Sequence, residues 1–137
     1  MLLFRKFCVV VLTLVAVFGA GCAKRVRFEP LPLVQSGAAN ARIELTYNRN
    51  DAIQVKLSQV PDPATLNPKF TRYVLWVATP DRRYVINVGQ LRVENNKAAL
   101  HTLTPLHRFI LFITAEESGD VMAPGPTIVF QTKEINW

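Results

Sequence analysis

The chain has 137 residues, of which 50% are apolar and 19% charged, with 16 Lys+Arg against 10 Asp+Glu for a net charge of +6. That length leaves room for one domain with one sizeable core, and the apolar content excludes a wholly disordered chain. Two cysteines exclude a disulfide-stapled scaffold and any Cys-rich zinc or iron–sulfur site.

The apolar residues are unevenly spread. Arg5 and Lys6 precede a nearly unbroken apolar run from Phe7 to Phe18, and Gly19-Ala20-Gly21 then leads to Cys22. A basic start, a short apolar stretch and a small-residue zone are the parts of a secretory signal peptide. The oily stretch has about 15 residues, short of the roughly 20 that a helix needs to span the hydrocarbon core. A cleaved leader over residues 1–21 is therefore expected, and Cys8 leaves with it.

The segment Gly19-Ala20-Gly21-Cys22 resembles the lipobox of bacterial lipoproteins, with Gly19 at the position where that family usually carries Leu. The resemblance implies that the Cys22 thiol receives a diacylglycerol, that cleavage falls just before it, and that the new amine is acylated. Cys22 is thus the expected lipid-attachment residue. The alternative is general signal-peptidase cleavage after Gly21-Cys22-Ala23, which leaves a free periplasmic domain. Several acyl chains anchor stably, because each buried methylene contributes about 0.8 kcal/mol and one chain alone is marginal. Ala23 rather than Asp follows the cysteine, which in that family favours the outer over the inner membrane. Removing residues 1–21 lowers the charge to +4. Lys24, Arg25 and Arg27 then lie beside the anchor, where they suit anionic headgroups or simply a solvated tether. Export and the lack of a basic-aromatic cluster argue against a nucleic-acid partner.

Residues 22–40 contain Pro30 and Pro32 and then Gln35-Ser36-Gly37-Ala38-Ala39-Asn40. This composition reads as a semi-rigid linker, with an edge strand around Leu31, Leu33 and Val34 as the alternative. The domain is placed at residues 41–137. Ile43, Leu45 and Tyr47 alternate with polar residues, and after the turn cluster Asn48–Asp51 so do Ile53, Val55 and Leu57; the pair reads as a hairpin. Pro61, Pro63 and Pro68 exclude a long helix in the connection that follows.

Tyr73–Ala78 is apolar on both faces, as a central strand would be, and stops at the turn Thr79–Arg83. Tyr84–Val88 and Leu91–Val93 flank Gly89, where a kink or bulge is expected. A turn at Glu94–Lys97 precedes a strand over Ala98–Leu103. Arg108–Thr114 is a second two-sided apolar run, and Thr127–Gln131 the last strand. Seven strands at spacings near ten residues indicate an all-β, antiparallel sandwich or barrel.

Tyr73-x-Leu75-Trp76 with Pro80, Val88-Gly89-Gln90-Leu91, Phe112-x-Thr114-x-Glu116 and Pro124-x-Pro126 resemble the C-terminal extracytoplasmic domain of anti-sigma-K factors. The resemblance covers roughly 60 of the 137 residues and implies a seven-stranded immunoglobulin-like β-sandwich. Sigma-factor control is not carried over, since the sequence shows neither a sigma-binding helical domain nor an internal transmembrane helix.

No catalytic constellation stands out. His101 and His107 lack the i, i+4 helical spacing of zinc protease motifs and read as surface or sheet-edge residues. Glu116, Glu117 and Asp120 supply oxygen ligands in one loop but not the positional pattern of a calcium loop, and read as a solvated turn. Trp76 reads as core, with a ligand-stacking surface as the alternative; Arg82, Arg83 and Arg108 read as turn residues able to meet an acidic partner. An unpaired edge at the last strand could accept a strand from a partner. The expectation is a non-enzymatic, lipid-anchored envelope protein with no cofactor and no metal, binding another envelope component. A regulatory subunit and a small-ligand or carbohydrate-binding domain, the latter needing Trp76 or Tyr84 exposed, are the alternatives.

Overall fold

A computed structural model of the chain describes residues 22–136. The leader over residues 1–21, Cys8 included, lies outside the described residues. Ten strands follow in order: β1 (Ala23–Arg27), β2 (Glu29–Pro30), β3 (Ala38–Leu45), β4 (Asp51–Ser58), β5 (Arg72–Ala78), β6 (Val85–Leu91), β7 (Lys97–Thr104), β8 (Arg108–Glu116), β9 (Ile128–Gln131) and β10 (Ile135–Asn136). A 3-10 turn at Pro32–Val34 and one α-helical turn, α1 (Pro63–Leu66), are the helical elements among the described residues. The first sheet has the order β1-β3-β4-β7. The second runs β2-β9-β8-β5-β6, with β10 also on β8.

The seven strands expected from the sequence are β3 to β9. Their order, β3-β4-β7 facing β9-β8-β5-β6, is the Greek-key arrangement of an immunoglobulin-like sandwich. The strand count is ten rather than seven, because β1, β2 and β10 are short pieces of 5, 2 and 2 residues near the chain ends. Runs that short carry too few residues for periodicity to stand out.

Residues 22–40 are not a linker. β1 pairs with β3 over its whole length, from Ala23 opposite Glu44 to Arg27 opposite Asn40. Phe28, which is buried, then carries the chain across to the second sheet, where Glu29 and Pro30 pair with Gln131 and Phe130. The domain therefore starts at Ala23. Val26 and Phe28 alternate with Arg25 and Arg27, a period-2 pattern overshadowed by the prolines just beyond it. Those prolines are tolerated because β2 is an edge strand and Pro32 opens the 3-10 turn, where its missing N–H costs little. Leu31, Leu33 and Val34 belong to or adjoin that turn, not to a strand.

Ile43, Ile53, Val55 and Leu57 from the first sheet meet Tyr73, Leu75, Val77, Phe109, Leu111 and Ile113 from the second in one buried cluster. The alternate residues of β5 and β8 point away from it, and Val74, Trp76, Ala78 and Phe112 form a second, smaller cluster on the outer face. Val121, from the loop after β8, and Ile128 cover it. That loop is why two strands of a two-layer sandwich can be apolar on both faces.

The expected irregularity at Gly89 is a register shift of β6 against Leu75 and Trp76. Gly89 has φ +144°, and a Cβ there would lie 2.9 Å from Leu100 Cδ2, so a side chain is excluded twice over. The last strand does not offer the free edge expected of it. β2 covers β9 at Phe130 and Gln131. β9 and β10 run along β8 in sequence, and where the ladder breaks between them the Leu111 N–H donates to Thr132 Oγ1 (3.0 Å).

Candidate functional site

Cys22 is exposed and its thiol unpaired, and the next residue is already in β1. The pairing Ala23↔Glu44 puts Cys22 at the end of the sandwich formed by the β3–β4 hairpin, Thr46 to Asn50. Asp51↔Thr104 brings the β7–β8 connection to the same end, and Ala78↔Ile110 brings the β5–β6 turn, Thr79 to Tyr84. Four large residues are exposed there: Leu45 at 55%, Tyr47 at 101%, Tyr84 at 69% and Leu103 at 56%. Alternation had assigned Leu45 and Tyr47 to the buried face of their strand. β3 ends at Leu45, so both residues pass beyond the reach of the second sheet.

The outer face of the first sheet is basic. Val26, Ala41 and Val55 turn inward, which leaves Arg25 and Arg27 on β1, Arg42 on β3 and Lys56 on β4 facing out. Arg25, Arg42, Gln54 and His101 lie on one rung across the four strands. Glu44 is the acidic residue on this face among the described strands, and Arg42 Nη2 holds its Oε1 at 2.5 Å. Arg25, Arg27 and Lys56 have no carboxylate partner among the described residues, so the face keeps an excess of positive charge. This patch is legible in sequence only once β1 is known to be a strand.

The two histidines are not brought together as a site. His101 is on the basic face, whereas His107 Nδ1 is 3.2 Å from Oδ1 of Asp51, a fully buried carboxylate whose other oxygen has no partner among the described residues. Nothing local in the sequence signals that pair, which the β4–β7 register and the following turn create. Among the described residues no three His, Cys, Asp or Glu side chains group so as to hold a metal ion. Glu116 is not the solvated turn residue expected. It is buried, and its Oε1 accepts from Thr114 Oγ1 and from the Gly125 N–H, both at 2.7 Å. Thr114 Oγ1 in turn accepts from Trp76 Nε1 at 2.8 Å. This chain of bonds clamps the Pro124-Gly125-Pro126 segment over the outer cluster. Glu117 and Asp120 are exposed.

Trp76 is fully buried and stacks on Phe112, with ring centroids 6.2 Å apart. It offers no surface to a ligand, and Tyr84 is the exposed ring of the two. The Arg82 guanidinium lies 5.1 Å above the Phe112 ring. Arg83 pairs with Asp81 at 3.4 Å, whose carboxyl is held below its usual range by the Thr79 hydroxyl and the Arg83 N–H. Arg108 pairs with Glu134, and this hydrogen bond lowers the Glu134 pKa and raises that of Arg108. No helix among the described residues is long and apolar enough to cross a membrane.

Comparison with protein-family models, with curated proteins and with solved structures returns no match for this chain.

Proposed function

We propose that the chain is an exported lipoprotein of the bacterial envelope: Cys22 carries the acyl chains, and the sandwich works without catalysis as a binding module facing the periplasm. Support comes from where the fold starts. Both sheets and both apolar clusters are built from residues 23 to 136, so a cut just before Cys22 leaves the described fold intact. It also leaves the acylated residue directly against β1, where a lipid gives the domain a fixed position rather than a leash. The basic outer face, with Arg25, Arg27, Arg42 and Lys56, suits an acidic component of the envelope. Of the two rings, either of which could serve a sugar-stacking role, Trp76 is buried and Tyr84 is exposed.

The test is membrane fractionation and palmitate labelling of the wild type beside Cys22→Ser in a Gram-negative host. Labelled wild type in the membrane fraction and unlabelled Cys22→Ser in the soluble fraction support the reading. An identical distribution of the two overturns it. For the binding role, crosslinking of the wild type is compared with the charge reversal Arg25→Glu/Arg42→Glu/Lys56→Glu. A partner captured only by the wild type is expected, and no reproducible partner counts against the module.

A further inference from the structure

We propose that the end of the sandwich around Cys22 is a membrane seat: the β3–β4 hairpin and the β5–β6 turn rest in the interfacial zone of the leaflet that holds the lipid. The orientation rests on the lipoprotein reading; the surface itself is read from the fold. Leu45, Tyr47, Leu103 and Tyr84 are all exposed at this end, on three segments of the chain that only the tertiary structure brings together. The opposite end is unlike it. Its turns carry Gln35, Gln59, Asn67, Asn95 and Asn96, and the exposed large apolar residues on its connections among the described residues are Leu33 and, on the β8–β9 loop, Met122. Two tyrosines with open apolar neighbours match the amphipathic chemistry of the headgroup layer, where a ring buries its body and keeps its hydroxyl wet.

The charges at this end fit the same occupant. The acids are spoken for: Glu44 by Arg42, Asp81 by Arg83, Glu134 by Arg108, and Asp51 is buried against His107. Lys24, Arg49 and Arg82 remain without a carboxylate partner among the described residues, which leaves a positive rim around the exposed apolar residues. Apolar insertion plus attraction to anionic headgroups is how interfacial binding is built. Cys22 supplies what selects a leaflet over another occupant. It lies level with Leu45, one residue from the sheet, so acyl chains attached to it must enter the bilayer beside the hairpin tip. With no slack between lipid and sheet, the strands stand on the membrane and the basic sheet face is held sideways, open to the periplasm.

The test uses the full chain, expressed with its own leader, purified from membranes and reconstituted into vesicles of phosphatidylethanolamine and phosphatidylglycerol. A polarity-sensitive fluorophore is attached at Asn48→Cys on the hairpin tip or at Gln35→Cys on the opposite end. The expected result is a blue shift and a severalfold stronger emission at position 48 than in detergent, quenched by brominated lipid and shielded from iodide. Position 35 stays quenchable by iodide, and adding Tyr47→Asp to the Asn48→Cys chain returns its probe to water. Equal iodide quenching at 48 and 35 overturns the seat. So does shielding at 48 that persists in detergent and ignores brominated lipid, which marks a second copy or another protein on this end. Failure of the anchor itself reads out separately: the parent chain, with neither added cysteine, then reacts with maleimide at Cys22.

Discussion

Phe28→Ala separates a tethered domain from one that begins at Ala23. The Phe28 ring is 2% exposed and belongs to the main cluster, at the point where the chain passes from the first sheet to the second. Truncating a buried Phe to Ala costs about 3–5 kcal/mol, through lost transfer energy and the cavity left behind. The lower part of that range applies only if the walls collapse inward. Here they are held by sheet ladders on both sides, with the Phe28 N–H bonded to the Ala39 carbonyl at 2.9 Å. The loss compares with a total stability of about 5–15 kcal/mol for a domain. For a chain of this size it lowers the melting temperature by roughly 10–20 °C. Urea unfolding of residues 22–137, followed by tryptophan fluorescence, gives the value from the midpoint at an unchanged slope. Leu33→Ala, at a residue 56% exposed, is the control and shifts stability by less than about 0.5 kcal/mol. If Phe28→Ala behaves like Leu33→Ala, residues 23–30 are a tether after all, and the flush placement of the domain on its lipid is wrong.

Thr114→Val leaves the Trp76 N–H buried without an acceptor and takes one of the two donors from Glu116, a cost of about 2–4 kcal/mol; Thr114→Ser restores most of it in the same denaturant assay, and a Thr114→Val chain as stable as wild type refutes the clamp. Burial, assisted by the Asp62 charge, pushes the Tyr73 hydroxyl up to about 12, above its value in the unfolded chain. Its contribution is therefore intact below pH 10 and is lost as pH rises toward about 12. Tyr73→Phe gives up the bond to the Pro61 carbonyl but flattens that alkaline fall, and an unchanged slope in pH-dependent melting argues against the assignment.

The sandwich was readable because its seven main strands keep one face dry. Ile53-x-Val55-x-Leu57 leaves a period-2 trace that local chemistry alone imposes, and Gly89 marked its bulge because the backbone conformation there excludes a side chain. Trp76 was read as core for the same reason, from its place inside an apolar strand. The short strands left a much fainter trace, Val26-x-Phe28 beside prolines: β1 and β2 hold their places through partners 13 or more residues away in the chain, and nothing in a five-residue segment announces its partner. Glu116 was misread because a carboxylate after a strand is ordinarily solvated; its burial depends on Thr114 and on Gly125, nine residues ahead, arriving together.

What the sequence determined by itself was a class and an expectation: an all-β domain, and a cysteine at the end of a leader-like segment. Tertiary structure decided that the domain starts one residue after that cysteine. It also decided which residues face outward together, Arg25, Arg27, Arg42 and Lys56 on one sheet face and Leu45, Tyr47, Tyr84 and Leu103 at one end. Periodicity reports whether a residue points in or out. Which outward residues become neighbours depends on strand order and register, which long-range pairing fixes.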